Sequence, residues 1–136
     1  MRILILDDDP NPDDPENLAK AGQTRIPAFR RKLIGHNIEW VKTAAEAIAM
    51  LADNPAGYWD AIFLDHDLGG VAYVKSGPGT GYEVAVWLEQ HPEKKPAQIF
   101  LHSLNTVGRD NMKAALPEAI HAPFSWRPRS PTEPGR

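Results

Sequence analysis

The sequence predicts an α/β domain built on a five-stranded parallel sheet. Three observations predict it. Residues 61 to 68, Ala-Ile-Phe-Leu-Asp-His-Asp-Leu, pass from apolar to ionisable within a few positions, and Gly69 and Gly70 follow. The pattern recurs where Ile3 to Leu6 ends in Asp7, Asp8 and Asp9, and where Ile99 to Leu101 ends in His102, Ser103 and Asn105. Short all-apolar runs fit strands buried on both faces, and segments of helical spacing stand between them.

The first strand covers Arg2 to Leu6. Residues 10 to 23 follow, punctuated by Pro10, Pro12, Pro15 and Gly22, and read as a long loop beside the strand tip. Thr24 can cap a helix that begins near Pro27, with Ile26, Phe29, Leu33 and Ile34 on one face and Gly35 as its stop. Arg30, Arg31 and Lys32 form its solvated face. Asn37 to Lys42 is a second strand. Thr43 and Glu46 form a Thr-x-x-Glu capping box for a helix over residues 44 to 53, whose inner stripe is Ala44, Ala47, Ile48 and Leu51.

The Asn54-Pro55-Ala56-Gly57 turn leads into the third strand, and residues 68 to 79 form another glycine-rich loop. Thr80 and Glu83 suggest a second capping box, for a helix that reaches about Gln90 and faces the core with Val84, Trp87 and Leu88. Gln98 to Leu101 is the fourth strand. A helix lies within 106 to 116 and stops at Pro117, and Ala119 to Phe124 is the fifth strand. Residues 1 to 126 thus form one domain. Residues 127 to 136, polar and rich in proline, read as a disordered tail.

Right-handed crossovers leave few topologies for this alternation. The common one is the flavodoxin-like αβα sandwich with strand order 2-1-3-4-5, whose ligands sit at the switch point beside strands 1 and 3. Those two strands end in aspartates.

Composition narrows the function. The 136 residues suffice for one domain with a real core. A formal charge of −3 argues against gripping duplex DNA by bulk electrostatics, although a nucleotide ligand remains compatible. The absence of cysteine removes thiol nucleophiles and zinc–thiolate sites. No apolar run reaches the length of a membrane span, and Met1-Arg2-Ile3 enters a strand with no signal-peptide pattern, so a cytoplasmic chain is the expectation.

Carboxylates gathered at adjacent strand tips repel one another unless a cation joins them. A hard divalent ion, Mg²⁺ with Mn²⁺ as an alternative, suits such oxygen ligands. Alternation along a strand prevents all five aspartates from pointing inward. Asp8 and Asp65 are the first choices as metal ligands and Asp7 the next, with Asp9 and Asp67 as turn or capping residues. The bland alternative, that each Asp is loop punctuation, fits one aspartate better than two triplets. Alternation sends His66 away from Asp65, toward a helix layer.

After the fourth strand, His102 is the natural general acid or base. Ser103 and Asn105 can bind an anion beside a helix N-terminus, and Arg109 one turn later can reach a phosphate. One of Ser103 and Asn105 is also expected to cap that helix. His36, His91 and His121 read as structural or exposed.

These residues resemble response-regulator receiver domains. Asp7 and Asp8 resemble the acidic pair, Asp65 the phosphoacceptor and Ser103 the hydroxyl residue. The receiver Lys-Pro-Phe appears here as Ala122-Pro123-Phe124, so the lysine that contacts the acyl phosphate is missing. A closer resemblance is to the cyclic-phosphate processing receiver-like domains. It is carried by Leu64-Asp65-His66-Asp67-Leu68-Gly69, Thr80-Gly81-Tyr82-Glu83-Val84 before Trp87-Leu88, and His102-Ser103-Leu104-Asn105 with Val107-Gly108-Arg109 and Asn111-Met112.

That resemblance implies metal-assisted hydrolysis of a cyclic phosphate on a nucleotide or RNA end. Asp65, His102, Ser103 and Asn105 would be catalytic, Ser103, Asn105 and Arg109 would bind phosphate, and Asp7, Asp8 and Asp65 would hold the metal. The alternative is a receiver-type signalling module that accepts a phosphoryl group or binds a protein partner. A haloacid-dehalogenase-type phosphatase, with Asp7 and Asp9 as its Asp-x-Asp pair, ranks last because the chain is short for it.

Overall fold

A computed structural model describes residues 1–7, 35–68, 74–103 and 105–121. The strands are β1 (Arg2–Leu6), β2 (Asn37–Val41), β3 (Ala61–Leu64), β4 (Gln98–Leu101) and β5 (Ile120–His121). The helices are α1 (Ala44–Ala52), α2 (Gly81–Gln90) and α3 (Thr106–Ala115), with a short 3₁₀ turn at Pro92–Lys94. All strands are parallel and the sheet order is β2-β1-β3-β4-β5. This is the flavodoxin-like order expected from the alternation of elements. Asp8, Asp9, the 10–23 loop, the helix expected from about Pro27, residues 122–124 and the 127–136 tail lie outside the described residues.

Both faces of the central strands are buried, which is why they read as unbroken apolar runs. On one face, Leu4, Leu6, Ile62, Leu64, Ile99 and Leu101 pack against the three described helices through Ala44, Ala47 and Leu51, Val84 and Leu88, and Met112. On the other, Ile3, Ile5, Ala61, Phe63 and Phe100 form a second cluster, joined by Met1, Ile38 and Trp40. Phe63 and Phe100 stack there with ring centroids 4.9 Å apart. Truncating either to Ala is the kind of change that costs roughly 3–5 kcal/mol.

The Thr43 hydroxyl accepts the Glu46 N–H at 3.1 Å, so the α1 cap forms as its sequence indicates. The α2 start differs. The Thr80 hydroxyl does not cap the helix; it donates to the Gly77 carbonyl at 2.7 Å and accepts the Gly77 N–H at 3.2 Å. Glu83 reaches back to the Gly79 N–H at 2.8 Å. The competing partner is the turn formed by Gly77, Pro78 and Gly79, which folds over the helix start. Among the described residues, no helix is long and apolar enough to cross a membrane.

Candidate functional site

Register builds the site. Leu6, Leu64 and Leu101 lie side by side across β1, β3 and β4. The ladder continues one residue further, because Asp65 N–H donates to Leu6 and His102 N–H to Leu64. Asp7, Asp65 and His102 therefore stand in one row at the C-terminal edge of the sheet. Alternation gives them one face, since they continue the parity of Ile5, Phe63 and Phe100. Trp40 steadies the first of them, its indole N–H donating to the Asp7 carbonyl at 3.2 Å.

One ligand atom from each of Asp7, Asp65 and His102 lies within 4.8 Å of the others. Asp7 and His102 are buried and Asp65 is half-buried. His102 Nε2 is 2.7 Å from Asp7 Oδ2. Two carboxylates at this spacing repel, and a cation between them removes the repulsion. Two carboxylates and an imidazole are a donor set that fits a divalent ion. The sequence placed His102 in acid–base chemistry, and the fold brings it within reach of the two carboxylates. Of the three expected metal ligands, Asp7 and Asp65 meet, and Asp8 is outside the described residues.

His66 turns to the opposite side of the β3 tip, as alternation requires, and is fully buried. Its Nδ1 lies 2.8 Å from Asp67 Oδ1 and its Nε2 2.8 Å from Ser76 Oγ. Gly108 in α3 sits on this ring. A Cβ there would come within 2.5 Å of His66 Nδ1, so only glycine lets the helix approach. Gly81 serves the same purpose at α2, where a Cβ would strike the Asp65 carbonyl oxygen.

Asn105 caps α3. Its Oδ1 accepts the Gly108 N–H at 2.9 Å, and its Nδ2 donates to Asp67 Oδ1 at 2.9 Å and to the Val74 carbonyl at 3.1 Å. The amide is engaged at both ends, which makes Asn105 a brace between α3 and the loop after β3. The buried Ser103 hydroxyl accepts the Asn105 N–H at 3.1 Å. Arg109 Nη1 donates to the Ser103 carbonyl at 3.3 Å and to His121 Nε2 at 2.9 Å. Burial, then the charges of Arg109 and His102, push the His121 imidazole below its ordinary pKa.

Sequence reasoning passed over Ser76 and the indole of Trp40 and read His121 only as structural or exposed; none of the three carries a local signal. Gly108 did carry one. A glycine inside a helix costs about 1 kcal/mol relative to alanine, so its presence marks a close approach.

A family profile described as "Cyclic-phosphate processing Receiver domain" matches residues 2–118. The chain belongs to this family. The fold is also that of solved receivers. The phosphorylated cyanobacterial phytochrome response regulator RcpA is 20% identical, with a TM-score of 0.60 over 91% of this chain and 83% of that one. A response regulator receiver domain from Rhodospirillum rubrum is 15% identical, with a TM-score of 0.57 over 90% and 80%. The Mn²⁺-bound response regulator Rcp1 is 16% identical, with a TM-score of 0.57 over 89% and 79%. At these identities the likeness is one of fold. No curated protein sequence matches the chain.

Proposed function

We propose that this receiver-like domain hydrolyses a cyclic phosphate on a nucleotide or an RNA end with the help of a divalent cation, Mg²⁺ or Mn²⁺. The convergence of Asp7, Asp65 and His102 carries the reading, and the cyclic-phosphate description of the family supports it. Asp7 and Asp65 would hold the cation, with Asp8 as a further candidate. When bound, the ion would neutralise phosphate charge and lower the pKa of water. His102 presents Nε2 at the same point. With Asp7 and Asp65 holding the cation, this atom, which donates to Asp7 Oδ2 in its absence, would instead take a proton from the attacking water and return it to the leaving oxygen. The water oxygen bonds to phosphorus, one ring P–O bond breaks, and a phosphomonoester with a free hydroxyl results.

Ser103 and Arg109 would hold the non-bridging oxygens at the α3 N-terminus, and Asn105 would keep that turn in place. An Ala at position 122 fits this chemistry better than phosphoryl signalling, because hydrolysis does not require a lysine to hold an acyl phosphate on Asp65. A cytoplasmic location suits such a substrate.

The test is a panel of 2′,3′-cyclic nucleotides and cyclic-phosphate RNA ends, with and without Mg²⁺ or Mn²⁺. The native chain should turn over at least one member, and His102→Ala should lose about 10²-fold or more. Full activity in His102→Ala would remove His102 from the mechanism. No turnover anywhere, with uptake of a phosphoryl group on Asp65 from acetyl phosphate, would establish the signalling alternative.

A further inference from the structure

On the helix side of the β3 tip, three side chains stand in line. Asp67 Oδ1 is 2.8 Å from His66 Nδ1, and His66 Nε2 is 2.8 Å from Ser76 Oγ. The proton positions follow from the partners. A carboxylate only accepts, so Nδ1 carries the ring proton and Nε2 is left to accept from the Ser76 hydroxyl. Asn105 Nδ2 also lies 3.3 Å from His66 Nδ1. Its two protons go to Asp67 and to the Val74 carbonyl, so it does not compete for that nitrogen. Asn111 Nδ2, at the exposed end, donates to Ser76 Oγ at 2.9 Å. The line therefore runs Asn111 to Ser76 to His66 to Asp67, each donor feeding the next acceptor.

A hydroxyl bonded to an imidazole that a carboxylate orients is the arrangement of an activated nucleophile. The ring is held firmly. His66 is fully buried, Gly108 packs on its face, and Asp67 accepts from Asn105 and Val74 as well. Ser76 is half-buried at the end of the line nearest solvent.

We infer that Ser76, His66 and Asp67 form a second reactive centre, distinct from the Asp7–Asp65–His102 row, in which Ser76 accepts an acyl group from a neutral activated ester. Ser76 Oγ bonds to the carbonyl carbon while its proton passes to His66 Nε2. The bond from that carbon to the leaving oxygen then breaks, and the leaving oxygen takes the proton. Water repeats the sequence on the acyl-serine, releasing the carboxylic acid and restoring the hydroxyl. The Asn111 amide donates to the Ser76 hydroxyl oxygen and so helps to hold it in line with His66 Nε2. An acyl group fits better than a phosphoryl group, because phosphoserine would add a second anion to a network that ends in the Asp67 carboxylate.

The full chain is incubated with 4-nitrophenyl acetate, phenolate release is followed, and the acetyl group is located by peptide mass mapping. Acetyl is expected on Ser76, with Ser76→Ala reduced to the background of surface amines. Asp67→Asn should acylate about 10-fold or more slowly while remaining folded by circular dichroism. Ser76→Ala replaces a half-buried loop hydroxyl, so it decides the matter even if Asp67→Asn fails to fold. Acetyl found only on Lys75 and other amines, or phenolate release unchanged in Ser76→Ala, overturns the inference and leaves the network as a strap that ties the loop to the core.

Discussion

The Nε2 of His102 lies 2.7 Å from the Oδ2 of Asp7, across 95 residues of chain. No local property of the sequence joins them. β3 lies between their strands, and both side chains rise from its two neighbours to meet above its tip. The contact is buried on both sides. Buried hydrogen bonds with a charged partner contribute about 1.5–3 kcal/mol. A double-mutant cycle with Asp7→Asn and His102→Gln, followed by urea unfolding without divalent cations, should show a coupling of about that size. Additive effects would mean that the pair does not bond in solution.

Asp65 brings a second carboxylate within 4.8 Å of this pair. Close carboxylates repel, and a cation between them offsets that repulsion, so the Asp65→Asn variant should gain less from a cation than the native chain. The same substitution removes a proposed ligand. Saturating Mn²⁺ at about 100 times its dissociation constant should stabilise the native chain by about 2.7 kcal/mol and Asp65→Asn by far less. Thermal melts with and without the ion give both quantities. An equal gain in the variant would place the ion elsewhere.

How much of this was legible in the sequence depends on range. The strand runs, their order and the α1 cap follow from patterns within a few residues, and the structure carries them. The site was legible as a list of strand-tip residues. That Asp7 stands in one row with Asp65 was not, because that depends on the register between β1 and β3. Parity held the clue, since Asp7 continues Ile3 and Ile5 while Asp65 continues Phe63. Parity alone does not say which face becomes the site. Thr80 shows the opposite failure. Its capping-box pattern is local, yet the Gly77 carbonyl takes the hydroxyl because the preceding turn folds back. Ser76 meets His66 only through the path of the intervening loop, and a sequence pattern carries no trace of that.

The two close-packed glycines should respond differently from ordinary helix glycines. Alanine raises helix propensity by about 1 kcal/mol, so an unconstrained Gly→Ala change in α3 would stabilise. At Gly108 the new Cβ meets the His66 ring, which Asp67 and Ser76 hold from both ends. Overpacking of this kind costs about 1–3 kcal/mol, and the net effect should be a loss. Gly81→Ala should cost more, because its Cβ meets the Asp65 backbone carbonyl, which has no rotamer to change. Denaturant midpoints for both variants give the ranking. A stabilised Gly108→Ala would show that His66 is free to move aside.

Two histidines contribute to a pH dependence near neutrality. Burial and then the charged N-terminus lower the pKa of His36, whose Nδ1 is 3.1 Å from the Met1 amino group. Burial and then Arg109 and His102 lower that of His121. A guanidinium only donates, so the 2.9 Å contact from Arg109 requires neutral His121 Nε2. In the unfolded chain both imidazoles regain an ordinary pKa of about 6.5. Below that value these two sites bind more protons in the unfolded state than in the folded one, so the stability they contribute is lost as the pH drops from about 7.5 to about 5.5. Glu118 has a lowered pKa, chiefly through its hydrogen bond with Lys95, and its contribution is lost only further down, in the carboxylate range. His121→Gln keeps an acceptor for Arg109 and cannot take the proton. Its stability should decline less steeply than that of the native chain over the same interval, as measured by urea midpoints. Parallel declines would remove His121 from the linkage.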